Sequence, residues 1–198
     1  MQKRTEGLKG ICITIIFLFT FWGCDGGGKI LKPQGTRSDV FTEAKNSIPP
    51  PQGTVSLEIR ASVKTPTSEH YLLEFKTPPQ VKDGYPFELN IDGQEIIWKE
   101  KGKLEKTPIS GEQGRFPEGG EGIRYVLDRT IFLAPGPHHI VFGLPADDFY
   151  TEVKISLREE EPHVLEFHPV YAMGRHGYRT FFHGVTRSEI FLDKTRIK

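Results

Sequence analysis

The sequence is poor in cysteine: Cys12 and Cys24 are the only two in 198 residues. That count excludes a disulfide-stapled scaffold and a four-cysteine zinc site. No Cys-x-x-Cys-His occurs, so covalent haem attachment is excluded as well. Net charge is missing too, because 26 basic and 26 acidic side chains cancel. Such a balance does not favour nucleic acid or an acidic bilayer surface as a partner. No apolar run reaches the ~20 residues that a membrane-crossing helix needs. Helical periodicity and β–α–β alternation are both lacking, which disfavours Rossmann and barrel enzymes. There is no Gly-x-Ser-x-Gly elbow and no His-Glu-x-x-His. Gly26-Gly27-Gly28-Lys29 lacks the glycine spacing and the Ser or Thr of a phosphate loop. The expectation is a protein without enzyme activity, catalytic residues or cofactor.

What is present begins at the N-terminus. Lys3, Arg4 and Lys9 make a positive start, residues 11–22 (ICITIIFLFTFW) form an apolar run of 12, and Gly23-Cys24 closes it. A run of that length fits the hydrophobic part of a secretory signal, so residues 1–23 read as a signal peptide. A small residue followed by Cys24 resembles the end of a bacterial lipoprotein signal. The resemblance implies that the Cys24 sulfur carries fatty acyl groups such as palmitate. It also implies that the signal is cut before Cys24 and that the protein is held on a cell membrane, facing the periplasm or the cell surface. Two or three acyl chains hold a protein stably, at ~0.8 kcal/mol per buried CH₂, where one holds it marginally. Phe21 and Trp22 are bulkier than is usual in that motif, which leaves an uncleaved anchor as an alternative and a free or disulfide-bonded Cys24 as a third. Cys12 lies inside the apolar run and would leave with the signal, so Cys24 has no intrachain partner. Beyond residue 23 the chain holds 23 basic and 25 acidic side chains.

Residues 24–53 are rich in Gly, Pro, Lys, Ser, Thr and Gln and are expected to be a flexible tether, stiffened at its end by three prolines. A flexible chain of that length has a root-mean-square span of ~30 Å. A sandwich domain is expected over residues 54–168. Val55, Leu57, Ile59, Ala61 and Val63 alternate with Ser56, Glu58, Arg60, Ser62 and Lys64, the period of a half-buried strand. Tyr71, Leu73 and Phe75 suggest a second strand. Residues 87–99 (FELNIDGQEIIWK) predict a hairpin, because both centres of Asp92-Gly93 accept positive φ. Folding there sets Leu89 opposite Ile96 and Phe87 opposite Trp98, with Glu88, Asn90, Glu95 and Lys99 on the other face. Residues 100–122 are charged and Gly-rich, and a structureless loop of that length is expected to be disordered. Further strands are expected over residues 123–133 and 138–142, around a turn at 134–137. Val153, Ile155 and Leu157 then alternate with charged neighbours, and Leu165 and Phe167 face back.

With 21 Gly and 15 Pro to break them, seven or eight short strands predict an all-β fold. The expected form is an antiparallel sandwich, Ig-like or transthyretin-like. The runs IDGQEI, TIFLAPGPHHIVF and YTEVKISL resemble the PEGA and carboxypeptidase-regulatory-like modules. The likeness covers residues 87–167, with 100–122 as an insertion. It implies a non-enzymatic binding or spacer role on an envelope protein.

Seven histidines invite a metal-binding or metal-sensing alternative. His138 and His139 are adjacent, His163 and His168 differ by five, and on strands both spacings point to opposite faces. No short pair has tetrahedral-site spacing, so no metal ligand is assigned. Residues 169–198 are expected to be a C-terminal extension packed on the sandwich. They mix basic and aromatic side chains, a combination that docks partner proteins or stacks on sugars. Arg175, Tyr178, Arg179, Phe182 and Arg187 are the candidate partner-binding residues, with plain edge strands as the structural alternative. The sequence thus predicts a lipid-anchored envelope protein that binds an envelope protein or a cell-wall polymer, with no role in binding nucleic acid.

Overall fold

Alternating apolar residues pair into two facing sheets. A computed structural model describes residues 34–44, 50–67, 83–112, 114–159 and 162–198. Among them the strands are β1 (Phe41–Glu43), β2 (Val55–Thr65), β3 (Tyr85–Ile91), β4 (Gln94–Glu100), β5 (Lys103–Thr107), β6 (Ser110–Gly111), β7 (Gly114–Arg115), β8 (Gly120–Leu133), β9 (Gly136–Leu144), β10 (Phe149–Leu157), β11 (His163–Tyr171), β12 (Val185–Leu192) and β13 (Thr195–Arg196). The smaller sheet runs β10-β9-β3-β4. The larger runs β1-β8-β2-β11-β12-β13, with β5 also paired to β8. The fold is the expected all-β sandwich, with one parallel pair, β2 with β11, in an otherwise antiparallel arrangement. No helix among the described residues is long and apolar enough to cross a membrane.

The core lies between the sheets. Val55, Leu57, Ile59, Ala61 and Val63 of β2 are all buried, as their period of two requires. Phe142 of β9 stacks on Phe167 of β11 with ring centroids 4.0 Å apart, joining the sheets through their middle. Tyr85 of β3 meets Tyr125 of β8 at 4.9 Å. The β3–β4 hairpin keeps the expected register, Leu89 opposite Ile96 and Phe87 opposite Trp98. Its turn has φ of 48° at Asp92 and 94° at Gly93, the positive values that two-residue hairpins need.

Three expectations need correction. Residues 24–53 are not all tether: Phe41 is buried in the core and β1 pairs with Leu133 to Ile131 of β8. The Gln94 side chain accepts from the Val40 and Phe41 N–H groups and donates to the Phe41 carbonyl, so it stands in for a neighbouring strand. Residues 100–122 carry β5, β6, β7 and the start of β8 and are not a disordered loop. Residues 169–198 are not an extension laid on a finished sandwich, because β12 pairs along β11 from Leu165 to Tyr171. On the outer face of β3, Glu88 and Asn90 are buried, and Tyr150 donates to the Glu88 carboxylate. The expected strand around Tyr71, Leu73 and Phe75, and Cys24 with its signal, lie outside the described residues.

One tertiary motif occurs twice at the same end of the sandwich. At the β3–β4 turn, Asp92 accepts from the His139 backbone N–H at 2.8 Å and bonds His138 Nδ1 at 2.6 Å. At the β12–β13 turn, Asp193 accepts from the Val164 N–H at 2.9 Å and bonds His163 Nδ1 at 2.7 Å. In each case the aspartate N–H returns a bond to the same neighbour's carbonyl. The two aspartates share one electrostatic logic. Burial opposes their charge, but the bonds from the backbone and the histidine ring outweigh it and hold both carboxyls below the usual range. A folded pKa below the unfolded value of about 3.9 means stability that is complete above that pH and lost as pH falls through the folded pKa. The D92N/D193N double variant is therefore expected to lose less stability than the wild type between about pH 4 and pH 2. Urea midpoints at pH 5, 4, 3 and 2 check this, and parallel acid limbs would contradict it.

Candidate functional site

The end of β2 carries a residue in the wrong phase for burial. Lys64 belongs to the outward face of its strand, yet it is 1% exposed. The reason is the stretch between β5 and β8, which folds over it. Lys64 Nζ donates to Thr107 Oγ1 at 3.0 Å, to the Glu118 carbonyl at 2.9 Å and to the Gly120 carbonyl at 2.7 Å. Its ammonium also sits 5.0 Å from the Phe181 ring centroid. The parallel ladder between β2 and β11 ends at Ala61 and Phe167, and the Lys64 backbone N–H is taken by Tyr171 Oη at 2.9 Å. Tyr171 in turn donates to Glu118 Oε1 at 2.7 Å. Arg124 completes the cluster, with Glu118 at 2.5 Å and Glu105 at 2.9 Å.

Two cations and two carboxylates thus balance beneath the insertion. Burial pulls the Lys64 pKa down, with Glu105 and Glu118 pulling the other way. Burial opposes the charge of Glu118, but Arg124 and Tyr171 hold its carboxyl below the usual range. Burial, then the neighbouring Glu118 charge, pushes the Tyr171 phenol well up, so it stays a donor.

This cluster ties the insertion to the C-terminal segment, and a groove forms where they meet. The Phe181 N–H donates to the Pro117 carbonyl at 2.9 Å. Gly122 permits the close contact, since a Cβ there would lie 2.6 Å from the Thr65 carbonyl and 2.7 Å from the Phe181 ring. Ile109 and Phe116, which flank the β6–β7 hairpin, form one wall and are 57% and 47% exposed. Tyr178 and Phe182 form the other. The groove measures about 470 Å³ and also touches Thr67, Arg115, Glu121 and Thr180. The Arg115 guanidinium lies 4.5 Å from the Tyr178 ring centroid, and the His176 ring runs nearly parallel to the Tyr178 ring with centroids 6.2 Å apart. Phe182 is backed by Phe181 at 4.1 Å.

Of the five residues expected to bind a partner, the fold brings Tyr178 and Phe182 together in the groove. Arg179 is used internally, donating to the Tyr171 carbonyl at 2.8 Å. Arg175 is exposed on the turn that precedes Tyr178, whereas Arg187 is on β12 with Glu189 4.0 Å away. Ile109, Arg115 and Phe116 were hidden from sequence reasoning inside a stretch whose charge and glycine content suggest disorder. A second depression, about 510 Å³, lies on the outer face of the larger sheet near Arg60, Asp128, Glu166 and His168. Its charged groups satisfy one another: Arg60 pairs with Glu58 at 2.7 Å and approaches Glu166 at 3.9 Å. The histidines among the described residues do not converge. His138 and His163 serve the two aspartate clamps, and no three His, Cys, Asp or Glu among the described residues gather as a metal site.

No family model matches the chain, and neither a curated protein nor a solved structure matches it.

Proposed function

We propose that this chain is a lipid-anchored, non-enzymatic envelope protein whose β-sandwich body presents a docking groove to a partner protein. The observation that carries the binding half is the groove itself. Two large apolar side chains stand half open on one wall, two aromatic rings face them, and an arginine is stacked at the edge. Exposed apolar surface rimmed by polar groups marks interaction sites, and Tyr, Phe and Arg are the residues that dominate interface energy. A protein fits better than a cell-wall polymer, because the polar groups in the groove are few: Thr67, Arg115, Glu121 and Thr180. The anchoring half is supported by the signal-like residues 1–23 and Cys24. Among the described residues no observation favours the metal-binding alternative.

Envelope extracts from the native source provide the test. Wild-type protein is expected to retain a partner that Y178A and F116A each lose. Truncating a hot-spot aromatic costs at least ~2 kcal/mol, about a 30-fold weaker Kd. Retention of the same partner by both variants, with unchanged melting temperatures, would remove the groove as the site.

A further inference from the structure

The wall of the groove that carries Ile109 and Phe116 is also a ridge. Both side chains stay about half open, and Ser110, Gly111, Gly114 and Arg115 of the hairpin between them are exposed. The other wall, Tyr178 and Phe182, bounds the space of about 470 Å³ beside that ridge. One surface therefore holds an apolar projection and an aromatic-walled recess side by side. Among the described residues that line the recess, the charged ones are Arg115 and Glu121, one of each sign. β6 and β7 pair only with each other among the described residues, so the hairpin keeps open backbone edges. A two-stranded hairpin left alone is marginal in water.

We infer, on the docking reading of the groove, that its occupant is a second copy of this chain. The two copies meet across a two-fold axis, with the hairpin of each against Tyr178 and Phe182 of the other. Such a contact sets one patch against itself, so that residue i meets j and j meets i. It needs a surface that projects and receives at once, which the ridge beside the recess supplies. It also needs charges that cancel within the patch, because an excess of either sign would face itself. Arg115 and Glu121 meet that condition: the arginine of one copy reaches the glutamate of the other, and the pairing is made twice. The Arg115 guanidinium lies over the Tyr178 ring, and a guanidinium stacked in this way keeps its N–H edge for a carboxylate. The axis also sets like hairpin edges antiparallel, a relation in which strands pair. A segment of one charge sign fits less well, since it attracts one of the two residues and repels the other.

Sedimentation equilibrium of the full chain, purified in a density-matched detergent, provides the test. The wild type is expected to be a reversible dimer. R115E and E121R each set like charges across the axis twice and are expected to dimerise roughly tenfold more weakly or worse. Both residues are exposed, so the far-ultraviolet circular dichroism of each variant is expected to match the wild type. Mixing the two single variants restores two contacts of opposite charge, and the mixture is expected to regain the dimer that neither forms alone. R115E/E121R, with both charges exchanged, is expected to regain it as well. A monomeric wild type, or a mixture no more dimeric than its components, overturns the second copy as occupant. Capture from envelope extracts then separates that failure from a failure of the groove itself. A different protein that the wild type retains and that Y178A and F116A lose leaves the docking groove standing, and the lack of any such protein removes the groove too.

Discussion

Replacing Lys64 with alanine is expected to destabilise the protein by about 3–5 kcal/mol, the range for breaking a buried charge network by removing one member. Three acceptors, Thr107 Oγ1 and the carbonyls of Glu118 and Gly120, lose their common donor at once. Glu118 and Glu105 are left with Arg124 as the one cation of the cluster, while the outer end of β2 loses the stem that filled it. Because those bonds fasten the insertion, K64A is also expected to weaken partner binding without touching a groove residue. K64R separates packing from charge: it keeps the cation but needs a broader pocket than the compact ammonium fills. Urea denaturation checks the first effect, and a loss under ~1 kcal/mol for K64A would show that the cluster does not hold the fold.

Phe167→Ala is expected to cost about 3–5 kcal/mol, for a different reason. The ring is 2% exposed and stacks on Phe142 across the sandwich, so its removal opens a cavity between the two sheets. The larger sheet meets the smaller one at this point through packed side chains. Phe167→Leu fills part of the space and is expected to lose about half as much. Denaturant midpoints at neutral pH check both. Equal losses for the two variants would mean that the stacking geometry, more than the filled volume, decides the cost.

The two effects differ in how far they could be foreseen. Phe167 was legible as a core residue because it alternates with charged neighbours on a strand, and the 87–99 hairpin was legible because its turn and its apolar pattern specify one register. Lys64 was not. A lysine in the outward phase of a strand reads as solvated, and only the return of residues 107–122, more than 40 positions away, buries it. The order of that stretch was hidden for the same reason. β5 earns its place by pairing with the start of β8, and its own residues, Lys103 to Thr107, carry too little apolar alternation to announce a strand. Phe41 was hidden in a mostly polar stretch, since two adjacent apolar residues, Val40 and Phe41, make no period. The parallel β2–β11 pairing joins strands about 100 residues apart, a distance at which local pattern carries no register. Half of the groove, Tyr178 and Phe182, was visible in the basic-aromatic C-terminal composition. The other half came from the insertion.

A photo-reactive phenylalanine analogue tests most directly whether the insertion and the C-terminal segment together make a docking groove. Placed at Ile109 in the full chain and irradiated in the native envelope, it is expected to give one discrete protein adduct that F182A abolishes. The same analogue at Gln52, on the opposite end, is expected to give none. Matching adducts from both positions, or an adduct at Ile109 that survives F182A, would contradict the account.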